Sequence, residues 1–189
     1  MDARSTLIRS TPVAPPKPLR LGRLSSPIGA LLLVTGDDGA LRALDFDDYE
    51  SRMHRLLRLH TGSFTLSLEP TPDDIARALT NYFSGDLHAI DMTRVDTGGT
   101  AFQRDMWTVL RGVPSGTTTT YGRIAAQLGR PRATRAVGAA NGANPIAIVV
   151  PCHRVIGANG ALTGYGGGIA RKRWLLDHER ANMTSDVIA

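Results

Sequence analysis

The sequence predicts an α+β protein with two unlike halves, a small sheet-bearing half followed by a mainly helical one. Three observations point to this. Apolar runs within Leu19–Val34 and Ala40–Phe46 are separated by turn signals, the mark of a hairpin. After residue 100 helical spacing takes over, with two short helices set around Gly129. Charge divides at the same place. Residues 1–99 carry 11 basic against 13 acidic groups, and residues 100–189 carry 11 against 4.

Residues 1–18 include Thr11-Pro-Val-Ala-Pro-Pro-Lys-Pro18, which reads as an extended, polyproline-like tail. Leu19–Leu33 alternates around a turn at Ser26-Pro-Ile-Gly29, and Gly29–Val34 is a buried strand. Gly36-Asp-Asp-Gly39 is a hairpin turn that returns the chain through Ala40–Phe46. Helices are predicted over Ser51–Leu59 and Thr71–Phe83. In the second, Thr71 is the N-cap, Pro72 takes the first helical position, Asp73 and Asp74 lie in the first turn, and Gly85 is the stop. His54, His60 and His88 lack metal-ligand spacing and read as surface histidines. Val95-Asp-Thr-Gly-Gly-Thr100 is a flexible link of small residues. It sets the expected domains at 19–95 and 100–180, with a tail over 181–189.

The second half opens on an amphipathic helix, Thr100–Leu110, whose Phe102, Met106, Val109 and Leu110 recur at helical spacing. Phe102 and Trp107 read as core. Val113-Pro-Ser-Gly116 is a turn. Tyr121–Gly129, Arg130-Pro-Arg132 and Ala133–Ala143 then have the spacing of a helix-turn-helix. Its second helix is built from Ala136, Gly138, Ala139, Ala140, Gly142 and Ala143, which costs helix stability but permits close approach. That approach suits either tight packing in a core or contact with an outside surface. Arg135 sits in the first turn, the end that also offers N–H groups to phosphate.

Pro145–Val150 is a β-branched, small apolar run that reads as a buried strand ended by Pro151. Directly after it stand Cys152, the chain's single cysteine, then His153 and Arg154. Cationic neighbours favour the nucleophilic thiolate, whereas an isolated cysteine is most often a small buried hydrophobe. Ala158–Ala161 is a turn. Leu162–Gly168 is a glycine-rich loop carrying Tyr165; without a Walker lysine pattern, it suits a phosphate or a flat ring. Ile169–Glu179 is a final helix.

Between Asp105 and Asp177 there is no acidic residue, while Arg111, Arg123, Arg130, Arg132, Arg135, Arg154, Arg171, Lys172 and Arg173 fall in that interval. Such a stretch points to a polyanionic partner, nucleic acid first. A single cysteine forms no internal disulfide. Met1–Ser10 lacks an apolar signal core and no run reaches membrane length, so a soluble, cytoplasmic protein is expected.

The motifs taken together resemble one family. Phe102-Gln-Arg104 with Trp107, Val113-Pro-Ser-Gly116, Tyr121-Gly-Arg-Ile-Ala125, Arg135-Ala-Val-Gly138, Asn144-Pro145, Pro151-Cys-His-Arg154 and Gly164-Tyr-Gly-Gly167 are similar to those of the O6-alkylguanine-DNA alkyltransferases, or methylated-DNA–protein-cysteine methyltransferases. The resemblance is dense and in order over residues 100–180. It is looser over 20–95, where Ser26–Gly29 carries it.

The resemblance implies an RNase H-like α/β domain followed by a winged helix-turn-helix-like domain. It implies direct-reversal repair by single, irreversible transfer of an alkyl group from O6-alkylguanine, and from O4-alkylthymine, in duplex DNA to Cys152. DNA would be held from the minor groove by Thr134, Arg135, Ala136, Gly138 and Ala139 with Tyr121 and Arg123. Arg135 would replace the flipped base in the stack. Tyr121 would also help protonate the leaving guanine. His153 would deprotonate Cys152 through a water, Glu179 would orient His153, and Asn144 would brace the turn before the active site. Tyr165, Val155, Gly164 and Gly166 would line the base pocket. Gly166 and Gly167 stand where some relatives carry a serine able to bond the guanine oxygen. Some relatives bind a structural zinc through N-terminal cysteines; this chain has none there, so no zinc is expected. No cofactor, no membrane and no obligate protein partner are expected, and the protein is expected to be a monomer.

Two other classes fit parts of the pattern. A DNA-binding module with an incidental cysteine fits the basic half. A cysteine hydrolase with turnover fits Cys152 and His153, although a base adjacent in sequence is poorly placed for direct thiol contact.

Overall fold

A computed structural model describes residues 15–183. The chain runs β1 (Lys17–Leu24), β2 (Leu31–Thr35), β3 (Leu41–Phe46), α1 (Glu50–Thr61), β4 (Phe64–Leu68), α2 (Asp73–Phe83), α3 (Ala101–Arg111), β5 (Thr119–Thr120), α4 (Tyr121–Gln127), α5 (Thr134–Gly142), β6 (Val155–Ile156) and α6 (Ile169–Asn182). The first sheet has the order β3-β2-β1-β4. Its β1–β2 and β2–β3 pairs are antiparallel and β4 lies parallel to β1, the RNase H-like arrangement. A second, two-stranded sheet pairs β5 with β6 in parallel.

Strand β2 shows why the sheet sits where it does. All five of its residues are buried, and the first four alternate between two cores. Leu31 and Leu33 face the main core shared with α2, α3 and α6. Leu32 and Val34 face a smaller core closed by Met53 and Leu57 of α1. The main core runs without interruption from Leu31 through Trp107 and Val137 to Leu175, so the two halves share one apolar interior. Strand β3 extends that union by backbone. Leu41 bridges Val95, and Leu44 bridges Ile146.

Several sequence expectations need correcting. Lys17 and Pro18 belong to β1 and pair with Phe64 and Thr65, so the strand starts inside the expected tail. Residues 1–14 of that tail lie outside the described residues. The sequence reading assigned nothing to Phe64–Leu68, yet this stretch is β4. It is a short edge strand whose partner, β1, lies far back in the chain. Thr71 does not cap α2. Its hydroxyl donates to the Arg23 carbonyl, and Pro72 holds the cap position without a side-chain bond. The link expected to be flexible is tied at its start, since Leu41 donates to Arg94 and Asp96 donates back to Leu41. Helix α6 runs past Glu179 to Asn182, so residues 181 and 182 are helical; residues 184–189 are not described.

The expected strand over residues 145–150 is not one. Only Ile146 makes a β-bridge, and the chain then folds through successive tight turns to Cys152. Burial on every side produces the same apolar run in a buried loop as in a buried strand, so composition alone does not separate them.

Candidate active site

The loop between α5 and Cys152 is braced by Asn144, which is fully buried. Its amide nitrogen donates to the Val150 carbonyl at 2.8 Å, and its amide oxygen accepts from the Ile146 N–H at 3.0 Å. One side chain thus closes both ends of the loop. Inside it, Val149 N–H bonds the Ala147 carbonyl at 2.8 Å around Ile148, whose φ is +68°. A β-branched residue at positive φ in a γ-type turn is strained and persists only where its surroundings impose it. A second i→i+2 bond, from Cys152 N–H to Val150, spans Pro151 at φ −81° and ψ 63°. Cys152, His153 and Arg154 then form one 3-10 turn, and β6 pins its far end to β5 directly before α4. Both ends of the Cys152 loop are therefore anchored to the helix-turn-helix.

Behind Cys152, His153 Nε2 and Glu179 Oε1 are 2.8 Å apart, and both residues are completely buried. Glu179 is held from four directions. Arg154 donates through Nε and Nη2, the Gly116 N–H reaches Oε2 at 3.0 Å, and the Tyr82 hydroxyl reaches Oε1 at 2.8 Å. These donors and the facing imidazole hold the Glu179 carboxyl well below its ordinary range despite burial. With Nε2 spent on Glu179, His153 keeps Nδ1 buried and without a protein partner. Burial pushes the His153 pKa down, so the ring is neutral at physiological pH. A neutral imidazole with a carboxylate on one nitrogen is oriented as a base through the other.

Burial also raises the Cys152 thiol, which is 4% exposed. A hydrogen bond from Asn144 and the charges of Arg52 and Lys172 oppose that rise. This corrects the expectation that the adjacent His153 and Arg154 favour the thiolate. Arg154 points away, onto Glu179, the Val113 carbonyl and the Ser115 hydroxyl, while His153 is uncharged. The cations that face the sulfur are remote in sequence. Lys172 is wholly buried and donates to the carbonyls of Val155 and Thr163, both at 2.6 Å, which ties the glycine-rich loop to β6.

That loop brings Tyr165 edge-on to His153, with ring centroids 6.4 Å apart. The Tyr165 hydroxyl is a second buried polar atom without a protein partner. Val155 lies beneath, fully buried, while Gly164 is exposed at the rim. Gly167 lies against Phe46, where a Cβ would come within 2.3 Å of the ring, and a Cβ on Gly166 would meet the Arg52 guanidinium at the same distance. A side chain at either position requires a neighbour to move.

The helix-turn-helix presents an outer face of small residues. Thr134, Arg135, Ala136 and Ala139 are exposed and Gly138 is half-buried, while Val137, Ala140 and Asn141 form the inner face of α5. Trp107 seats that inner face, donating from Nε1 to the Ala140 carbonyl at 3.0 Å. Arg123 on α4 is exposed, and Tyr121 is half-buried, its hydroxyl 3.3 Å from that of Thr163. The long basic interval divides in two. Arg123, Arg130, Arg132, Arg135 and Arg173 are exposed. Arg111, Arg154, Arg171 and Lys172 are engaged with groups of the protein itself. The expectation that the whole interval faces an outside polyanion is therefore corrected for the second group, and only the first group is exposed to solvent.

Sequence reasoning found no chemistry in the N-terminal half, and there it missed three residues. Arg52 donates to the carbonyls of Gly142 and Asn144 at the end of α5, and pairs with the buried Asp45 at 2.5 Å. His60 is half-buried and bonds the Ala143 carbonyl at 3.0 Å, which corrects its reading as a surface histidine. Tyr82 reaches Glu179. The first two satisfy the carbonyls that a helix C-terminus leaves open.

The comparisons with known proteins agree with this geometry. Residues 101–181 match the family model for the DNA-binding domain of 6-O-methylguanine DNA methyltransferase. A methylated-DNA–protein-cysteine methyltransferase of Salmonella typhimurium is 50% identical over 159 residues, 83% of this chain and 93% of that protein. One from Methanosarcina acetivorans is 44% identical over 154 residues, 82% and 94% of the two chains. The crystal structure of Mycobacterium tuberculosis OGT in complex with DNA superposes with a TM-score of 0.71 at 42% identity, covering 87% of this chain and 94% of that one. The O6-methylguanine-DNA methyltransferase of Pyrococcus kodakaraensis superposes with a TM-score of 0.68 at 27% identity, covering 85% and 98%. From the fold, the braced cysteine and these likenesses, the chain belongs to the methylated-DNA–protein-cysteine methyltransferase family.

Proposed function

We propose that the protein repairs duplex DNA by moving the alkyl group of O6-alkylguanine onto Cys152, once per chain. The observation that carries this is the buried Cys152–His153–Glu179 group, presented by the Asn144-braced loop that directly follows the small-residue helix α5. A thiol kept protonated by burial is stable until a substrate and a base reach it together. The Cys152 proton passes through a water to His153 Nδ1, the nitrogen left free by Glu179. The sulfur attacks the alkyl carbon in line, the carbon–oxygen bond breaks, and its electron pair leaves on the guanine oxygen. A proton supplied through Tyr121 restores guanine. The thioether on Cys152 has no route back to a thiol, so the chain reacts once and needs no cofactor.

The damaged base reaches Cys152 by rotating out of the duplex into the space between Tyr165, Val155 and the glycine-rich loop, with Arg135 taking its place. The small side chains of Ala136, Gly138 and Ala139 let α5 approach the narrow minor groove.

The test is intact-protein mass after incubation with excess duplex oligonucleotide carrying O6-methylguanine. One added methylene per chain, localised to Cys152, is expected. Unchanged mass with DNA binding intact would leave a recognition protein. Repeated turnover of an ester or amide substrate would favour a hydrolase.

A further inference from the structure

Glu179 Oε1 accepts from His153, from Arg154 and from Tyr82. The first two belong to the same tripeptide as the nucleophile. The third comes from α2, in the other half of the molecule, and reaches the oxygen at 2.8 Å. We propose that Tyr82 is a positioning residue for alkyl transfer. By donating to the Glu179 oxygen that orients His153, it draws off part of that oxygen's charge and so sets how readily His153 takes the Cys152 proton. The proposal rests on the reading of Cys152, His153 and Glu179 given above.

The geometry leaves the hydroxyl little other use. Tyr82 is completely buried, and its ring packs edge-on against Phe83 and His178 at 5.3 and 5.4 Å. Its own carbonyl accepts from His178 Nε2 at 2.8 Å, which lashes α2 to α6 beside the phenol. Glu179 keeps Arg154 and the Gly116 N–H without it, so Tyr82 is surplus to neutralising the carboxylate. A phenylalanine would fill the same space with no polar atom to satisfy, whereas a buried hydroxyl requires a partner. Burial and the Glu179 charge keep the phenol protonated, so it acts only as a donor.

The charged and titratable groups facing His153 are few. Glu179 and Lys172 come from α6, Cys152 and Arg154 from the same 3-10 turn, and Tyr165 from the glycine-rich loop. Tyr82 faces it from α2 through Glu179. Of these, only Tyr82 and Arg154 share an oxygen with the imidazole.

The sign follows directly. Removing the phenol leaves Oε1 more negative, which stabilises the His153 imidazolium and moves its titration to higher pH. Less neutral base is then present on the acid side. Single-turnover transfer from O6-methylguanine duplex is measured against pH for the wild type, for Tyr82→Phe and for protein with 3-fluorotyrosine at position 82. Tyr82→Phe is expected to slow transfer by roughly three- to tenfold on the acid limb and to approach the wild-type rate at alkaline pH. The fluorinated phenol is a stronger donor and is expected to shift the acid limb the opposite way. Unchanged profiles in both proteins overturn the proposal, as does a loss in Tyr82→Phe that is equal at every pH, which reports packing alone. Should Tyr82→Phe lose its fold by circular dichroism, the fluorotyrosine shift decides. Absence of transfer by the wild type at every pH would instead overturn the underlying reading.

Discussion

Arg52, on the first helix of the sheet-bearing half, donates to the main-chain carbonyl of Asn144 at 3.1 Å, across 92 residues of sequence. Asn144 in turn closes the loop that presents Cys152. The same guanidinium reaches Gly142 and Asp45, and its charge is felt by the thiol. The half without chemistry of its own thus supports the end of α5 and the loop that leads to the nucleophile.

Replacing Arg52 by methionine is expected to cost about 3–5 kcal/mol, because the Asp45 carboxylate is left buried without its cation. Asp45→Asn added to Arg52→Met should recover part of this, since no orphaned charge remains. Denaturant midpoints of the two proteins check it. Equal midpoints would show that the lost bonds to Gly142 and Asn144, and not the orphaned charge, set the cost.

Serine at Gly167 tests the glycine-rich loop. A Cβ there would lie 2.3 Å from the Phe46 ring, which is itself fully buried. Overpacking of this kind costs about 1–3 kcal/mol. Gly167→Ser should lower stability by that order, and Phe46→Leu in the same chain should relieve some of it. Calorimetric melting of the single and double variants is the measurement.

Such dependencies mark the limit of what the sequence displays. The hairpin, α3 and the helix-turn-helix were legible because local signals agree with the fold: Gly36–Gly39 turns the chain, and Phe102, Met106 and Leu110 recur at helical spacing, two of them buried as α3 packs. The nucleophile was legible from the order of motifs around a lone cysteine. Helix α6 shows why other parts were obscure. Its buried face is Lys172, Leu175, Leu176 and Glu179, so two of four inward positions are charged and the usual apolar stripe is broken. Pairing Glu179 with His153 needed the family resemblance. Arg52, His60 and Tyr82 were invisible because each acts through a partner from 83 to 97 residues away, and no local pattern marks such a contact.

Arg135 is exposed on the first turn of α5 and pairs with no acid among the described residues. Arg135→Ala should weaken repair in duplex DNA by about 5- to 150-fold, the equivalent of roughly 1–3 kcal/mol, while reaction with the free base stays near wild type. Parallel rates on the two substrates check this, and equal losses would remove Arg135 from the flipping step.

Phosphate contact has its own signature. If three to five of the exposed arginines meet phosphates, the slope of log affinity against log salt should be about −2.7 to −4.5. Titrations of one duplex at several salt concentrations give the slope directly. A value near zero would show that the exposed arginines do not touch the backbone.

Stability should follow pH in a form set by the same cluster. His153 is buried neutral, its pKa below the ordinary 6.5, so the unfolded chain binds its proton first as pH falls. Glu179 titrates below its ordinary 4.5, so the unfolded chain again takes the proton first. Both terms are present above those ordinary values and are lost on acidification, the histidine term from about 6.5 downward and the carboxylate term from about 4.5. On the alkaline side the sign reverses. The Cys152 thiol is raised above 9.0, so the unfolded chain ionises first and stability declines as pH passes that value. Melting temperature against pH should therefore show a plateau between these limits. In Glu179→Gln the step beginning near 4.5 should vanish, whatever the overall loss from unpairing Arg154. In protein already alkylated on Cys152 the alkaline decline should become shallower, because a thioether does not ionise. An acid limb unchanged in Glu179→Gln would mean that carboxylates elsewhere control acid unfolding, and that the buried line behind Cys152 does not.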